Sequence, residues 1–434
     1  MTTQWVRKTG IVALAVGVMA AAACSSDSEP STAEAPADDG AEQNTEPAAE
    51  PVDYSGRGPY AVGTIDLELD PDHAVAVFYP VDPDAVADDS EPYIYSGATI
   101  FDPSVAALLP DALGGEFAPP DTWLGLPASD AGPFPIVLHS HGAAGNYRFA
   151  GFHNGHTASW GHVVVSVDHP ERGVVAAIAS IGGDGGEGGG PSDQSLDTDQ
   201  LLAALDLVEA EGATAGSPLE GTVDGSAVAG EGHSAGGSAT GAAAYDARIG
   251  AWIAQASGGA IDPDVDLDPY LVEDPDSDSP SFDGQSHRDD NPPPPVPAMQ
   301  LTAEGDTVVE PAYALEATFD WLETTPKALG VINDSGHAVF VDVCVPIRDS
   351  GGLSAFVEAL GIDPTDVGLV RVYEDGCLPD DVDPEAVWEV IDHMTVAFLV
   401  AVFGDDPAVG LASLDPDYVD ATFPDLVERV EVVG

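Results

Sequence analysis

The chain has 434 residues, 44% of them hydrophobic, enough apolar material for a sizeable core and compatible with one long α/β unit. Its 76 acidic side chains against 11 basic ones leave a formal net charge of −65. Such a surface repels nucleic acid and anionic membrane faces, which argues against a DNA or RNA role; it suits solubility in salt-rich surroundings or, as the sharper alternative, a set of cation sites.

Arg7 and Lys8 precede an apolar, small-residue run from Ile11 to Ala23. That run is too short to span a membrane and fits a signal h-region. It ends in Ala21-Ala22-Ala23-Cys24, followed by Ser25 and Ser26, and resembles a lipoprotein signal in which cleavage leaves Cys24 lipidated. Residues 1–23 are therefore expected to be a signal peptide. The protein is expected to be exported, as a cell-surface lipoprotein held to the membrane only through Cys24, or secreted outright. Residues 24–52 are rich in Ala, Pro, Glu, Asp and Ser and show no periodicity, so a disordered acidic tether is expected there.

Residues 53–434 read as a single α/β domain with no internal repeat. Thr64 to Leu69 and Ala74 to Tyr79 suggest a hairpin. Pro135 to Leu138 is a short strand running into a glycine-containing loop, and Ala150 to Trp160 suits a helix. His162 to Val167 is an apolar β-branched run, the pattern of a strand covered on both faces. Leu201, Leu202, Leu205 and Val208 recur at helical spacing within Asp197 to Glu211. Strands are expected at Val223 to Glu231, Ile249 to Gln255, Val296 to Ala303 and Ala328 to Ile332. Helices are expected at Ser234 to Asp246, Tyr313 to Leu322 and, closing the chain, Glu385 to Phe403. Gly182 to Ser195 reads as a mobile loop. Residues 261–297, rich in Asp and Pro, read as an insertion between the sixth and seventh core strands, a loop or partial lid. Alternating strands and helices imply a mostly parallel sheet covered on both faces, with ligands beyond the carboxyl ends of the strands. Two cysteines remain, Cys344 and Cys377; in an exported chain they are expected to pair, with two buried thiols as the alternative.

Gly232-His233-Ser234-Ala235-Gly236 lies between a predicted strand and a predicted helix, the context a nucleophile elbow requires. The glycines permit the sharp turn that lifts a serine hydroxyl off the sheet, and the helix N-terminus favours developing negative charge. A serine nucleophile needs a base, and the base an orienting carboxylate. In this arrangement the chain order is Ser, acid, His. Asp306 and His337, each after a predicted strand, supply the acid and the base. Oxyanion donors are expected from the N–H groups of Ala235 and of Ala143, in the loop His139-Ser140-His141-Gly142-Ala143.

His139 and His141, with His153, His156, His162, His169 and Asp168 near in sequence, also admit a zinc reading, but three or four converging ligands would be needed. The Asp262-x-Asp264-x-Asp266-x-Asp268 run could bind calcium, yet lacks the glycine and distal glutamate of an EF-hand loop, which favours a solvated acidic loop. No metal and no cofactor are expected.

Several segments together resemble secreted α/β-hydrolases of the dienelactone hydrolase, platelet-activating factor acetylhydrolase and polyester hydrolase (cutinase-like) group. They are Arg57 to Gly63, His141-Gly142, Ser166 to His169, Gly232 to Gly237, and the contexts of Asp306 and His337. The resemblance implies an α/β-hydrolase fold and a Ser234–His337–Asp306 triad acting on small, lipid or polyester esters. A late cysteine pair like Cys344 and Cys377 is also seen in that group. The chain departs from polyester hydrolases in having Ala143 where a ring usually stands, and Ser257-Gly258-Gly259 where Trp is expected. The expectation is thus a monomeric carboxylic-ester hydrolase. Its rivals are a non-catalytic lipid-anchored binding protein on the same fold, or a zinc-dependent hydrolase.

Overall fold

The computed structural model describes residues 49–71, 73–100, 106–107, 114–180, 194–263, 265, 269, 271–272, 281–282, 284–311, 317–359 and 361–434. The expected signal segment, Cys24, the expected tether up to residue 48 and most of the Gly-rich stretch from Gly182 lie outside them. Ala49–Gly434 gathers into one compact unit. The chain docks slightly earlier than the sequence suggests. Val52 N–H donates to Ser413 Oγ (2.8 Å), and Tyr54 N–H to His393 Nδ1 (3.0 Å).

The predicted hairpin forms from Ala61–Asp70 (β1) and His73–Val81 (β2), antiparallel with Thr64 opposite Phe78. Alternate β2 residues point to opposite faces, as the period of a strand demands. Val75, Val77 and Tyr79 fill one core and Ala76 and Phe78 the other. A strand buried on both faces must be apolar throughout, which is why the sequence shows a run there rather than an alternation.

Thr122–Leu124 (β3), Phe134–Ser140 (β4), Val163–Val167 (β5), Val223–His233 (β6), Ala251–Gln255 (β7), Ala298–Ala303 (β8), Lys327–Ile332 (β9) and Val427–Val433 (β10) complete a ten-stranded sheet. Its order is β10-β9-β8-β7-β6-β4-β5-β2-β1-β3. From β5 through β9 every neighbouring pair is parallel, while β1–β2, β2–β5 and β9–β10 are antiparallel. The protein is therefore an α/β fold on a mostly parallel sheet, helices covering both faces. Gly151–Ser159 (α1) and Pro384–Phe403 (α4) pack on one face; Gln194–Gly212 (α2) and Ala235–Ala243 (α3) on the other. Asp383 caps α4 by accepting the Glu385 N–H at 3.1 Å, and Pro384 suits its first turn.

Three expectations need correction. The α4 helix does not close the chain, since helices Pro407–Ser413 and Pro416–Thr422 and strand β10 follow. β10 mixes Val with Glu428, Arg429 and Glu431, charges that mark an edge and hide the strand in a pattern search. The three-residue edge strand β3, too short to show periodicity, shifts the count, so the insertion lies between the seventh and eighth strands. Helix α2 begins at Gln194, inside the expected loop.

Asp342 joins two segments distant in the chain. Its buried Oδ2 accepts the Tyr95 hydroxyl (2.5 Å) and the Phe152 N–H at the start of α1 (3.2 Å). Burial, outweighing these hydrogen bonds, pushes the carboxyl up from 3.8 to about 7. An acid raised on folding favours the native state fully below its unfolded value, and this contribution is lost as pH rises through the folded value. Asp342→Asn keeps an acceptor but removes the charge. Its Tm should therefore gain on that of the wild type as pH goes from 4 towards 8, and parallel Tm–pH curves in thermal melts would contradict the assignment.

Candidate active site

β6 delivers Gly232-His233-Ser234-Ala235-Gly236 into the turn before α3. Ser234 sits at φ +54°, ψ −121°, a backbone state that costs a non-glycine residue roughly 1–3 kcal/mol. Ser234 N–H donates to Gln255 O (2.8 Å) on β7, while its carbonyl accepts the Gly237 N–H at 3.0 Å and opens α3. The flanking glycines are steric necessities. A Cβ on Gly232 would lie 2.4 Å from the Gly236 backbone, and one on Gly236 would lie 2.0 Å from Ser140 O.

The loop after β4 packs against this turn. A Cβ on Gly142 would come 3.2 Å from the Ser234 Cβ. Ala143 is exposed and Ala144 is at φ +59°. Among the described residues no acceptor takes the N–H of Ala143 or of Ala235. Arg172, one of the few basic residues, holds the loop from behind. Its guanidinium donates to His141 O, to Ser140 Oγ (2.8 Å) and to Asp197 Oδ2 (2.9 Å), and its carbonyl accepts the Ala144 N–H (2.6 Å). No motif marked Arg172; the signal was a lone cation in a chain with 11.

Asp306 follows β8 and His337 follows β9. Their side chains meet in a buried pair, His337 Nδ1 to Asp306 Oδ2 at 2.8 Å. Asp306 Oδ1 accepts the N–H groups of Val308 (2.8 Å) and Val309 (2.7 Å), which leaves Oδ2 for the imidazole. His233, the variable residue of the elbow motif, reaches across with Nε2 to the His337 carbonyl (2.9 Å), their rings 4.7 Å apart. Burial, with the neighbouring His337 ring adding to it, drives His233 far below the usual imidazole range, so it is neutral and donates one N–H. The half-buried Ser234 hydroxyl makes no hydrogen bond among the described residues. Among the described residues no hydrogen bond joins this hydroxyl to His337, a bond that catalytic pairs often form only once a ligand is bound.

Beneath the elbow lies a charge cluster that motif reading missed. Glu231, fully buried, accepts His153 Nε2–H (2.8 Å) and Gln255 Nε2–H (2.9 Å), and Asp392 accepts His153 Nδ1–H (2.6 Å). Burial opposes both charges, yet the Glu231 charge lifts His153 well above the ordinary imidazole range. The His153 charge in turn holds Glu231 below the usual carboxylate range. Both groups are therefore ionised at neutral pH.

Of the histidines of the zinc reading, His141 Nδ1 is directed to Gly142 O (2.8 Å), His156 to Tyr54 O (2.8 Å), His162 to Thr157 O (3.3 Å) and His169 to Ser140 and Gln200, while His139 and His153 both face Glu231, at 3.9 and 2.8 Å. Among the described residues no three His, Cys, Asp or Glu side chains are grouped to hold a metal. Asp264, Asp266 and Asp268 of the calcium reading lie outside them. A small pocket beside His337 is walled by Gly142, Ala143, Phe149, Phe340 and Tyr373. Its wall near Tyr373 comes from the segment closed by the Cys344–Cys377 disulfide. The described part of the 261–297 insertion contributes nothing to that pocket.

No protein-family model matches the chain, and no curated protein matches it. Glu231→Gln would strip His153 of one of its two carboxylates. Breaking such a buried pair should cost about 3 kcal/mol. Thermal or denaturant unfolding measures it, and an unchanged midpoint would mean the cluster is not ionic.

Proposed function

We propose that the chain is a serine carboxylic-ester hydrolase on an α/β-hydrolase fold, with Ser234 as nucleophile, His337 as base and Asp306 as its orienting acid. The observation that carries this reading is the serine held at φ +54° at the N-terminus of α3, directly after His233, whose ring bonds the carbonyl of the His337 that pairs with Asp306 in a buried imidazole–carboxylate couple from the ends of β8 and β9. The sheet supports it too: β6, which carries the serine, sits between two parallel neighbours, β4 with the amide loop and β7.

In this mechanism His337 Nε2 takes the Ser234 proton as Oγ attacks the ester carbonyl. Asp306 fixes the tautomer that leaves Nε2 free, and stabilises the imidazolium. The Ala143 and Ala235 N–H groups, spent on no other acceptor, receive the oxyanion, and the α3 N-terminus adds its field. The proton then passes to the departing alkoxide, and water, activated by the same histidine, releases the acid. The chain's own groups supply each step. The mostly apolar walls of the pocket beside His337 favour small, uncharged acyl groups. Export and a lipid anchor on Cys24 fit this chemistry and belong to the same proposal.

Hydrolysis of 4-nitrophenyl acetate, followed at 400 nm, tests the reading. Ser234→Ala should lose nearly all activity and all labelling by a fluorophosphonate probe. Asp306→Asn should lower kcat by about 10⁴ with KM little changed, through the wrong tautomer. Equal activity in wild type and Ser234→Ala would overturn the proposal.

A further inference from the structure

We propose, resting on the esterase reading, that Tyr373 and Asp375 are positioning residues for this reaction: one aims the oxyanion donor and the other holds acid and base in register. Both sit at the end of helix Gly368–Glu374, in the segment closed by the Cys344–Cys377 disulfide.

Tyr373 is buried, and its hydroxyl donates to Ala144 O at 2.7 Å. That carbonyl shares a rigid peptide plane with the Gly145 N–H, which donates to Gly142 O at 3.0 Å. Gly142 O in turn shares a plane with the Ala143 N–H. Two planes in series thus carry the orientation set by Tyr373 to the oxyanion donor. His141 Nδ1–H also grips Gly142 O, and Arg172 O grips the Ala144 N–H, so Tyr373 completes a loop pinned at every peptide.

Asp375 acts on the other half. Its Oδ2 accepts the N–H of Thr307 (2.9 Å), next to Asp306, and of His337 (3.1 Å). Its carbonyl accepts the Ala338 N–H (2.9 Å). One carboxylate therefore ties the acid loop to the base loop. The approach requires bare backbone, since a Cβ on Gly336 would lie 2.6 Å from the Asp375 backbone. Gly376, at φ +84°, admits no side chain either, its Cβ falling 2.4 Å from Gly336 N. With only Glu374 between the two residues, the distance between oxyanion donor and triad is set inside this segment as well as by the sheet.

The test measures kcat and KM for 4-nitrophenyl acetate, with Tm, for wild type, Tyr373→Phe, Asp375→Ala and Asp375→Asn. Loss of one oxyanion donor costs about 10²–10³ in kcat, so a misaimed one should cost about tenfold in Tyr373→Phe. Asp375→Ala should lose at least as much, with KM within about twofold in both. Asp375→Asn, which keeps an oxygen for both N–H groups, should recover most of the rate; a merely structural role would not split kcat from KM in this way. Should Asp375→Ala fail to fold, Tyr373→Phe and Asp375→Asn carry the test. Kinetics of Tyr373→Phe and Asp375→Ala within twofold of the wild type, while Ser234→Ala is dead, would overturn the positioning proposal and leave the esterase reading intact. Equal rate losses in Asp375→Asn and Asp375→Ala would overturn the acceptor role. A wild type with neither hydrolysis nor probe labelling at Ser234 would overturn both readings.

Discussion

A residue can project from the end of a buried parallel strand only if the backbone turns away beneath it within one step. Here that step is Ser234 at φ +54°, and much of the surrounding structure consists of what keeps it there. Gly232 and Gly236 must lack side chains because the strand and helix backbones touch. Ser234 N–H is bonded across to β7, and its carbonyl starts α3. A strain of this kind persists only when its neighbours over-determine it. The turn also places the first amides of α3 beside the serine, so the same distortion that exposes the hydroxyl supplies one unspent donor.

The net charge of −65 shapes the interior as well as the surface. Two buried cations are matched to carboxylates: Arg172 to Asp197 behind the amide loop, His153 between Glu231 and Asp392 below the elbow. Buried pairs of this type add little net stability relative to apolar packing, but losing one partner strands a charge. Their contribution is to hold particular backbone carbonyls and strand ends in one arrangement. Pairing is not complete: His139 Nδ1 and Glu231 Oε2 stand 3.9 Å apart, both buried and neither hydrogen-bonded, and the buried nitrogens of the Arg57 guanidinium make no hydrogen bond among the described residues.

The site is assembled from segments more than 200 residues apart in sequence, from the His141 loop to Asp375. β4, β6, β8 and β9 bring their loops to one edge of the sheet because parallel strands share an end. The sheet sets these positions coarsely. The disulfide-closed segment adds the hydrogen bonds that join one loop to the next. Wall and hydrogen-bond donor coincide in Tyr373, which both lines the pocket and grips Ala144.

The sequence by itself determined the central strands of the sheet, from Ala61 to Ile332, and the main helices that cover them. It did so because a sheet covered on both faces must be built from apolar runs, and these are visible without neighbours. It also singled out Ser234, Asp306 and His337, since the glycine pattern and the strand ends are local signals. Edge strands β3 and β10 escaped it, one too short and one too charged to show periodicity. Arg172, Glu231, Asp342, Tyr373 and Asp375 were illegible for another reason. Each acts through a partner distant in the chain, and in a sequence with 76 acidic residues no single carboxylate stands out. Only the tertiary structure decided which acids are buried, which cations they hold and which loops they join, because burial and contact are properties of the packed chain.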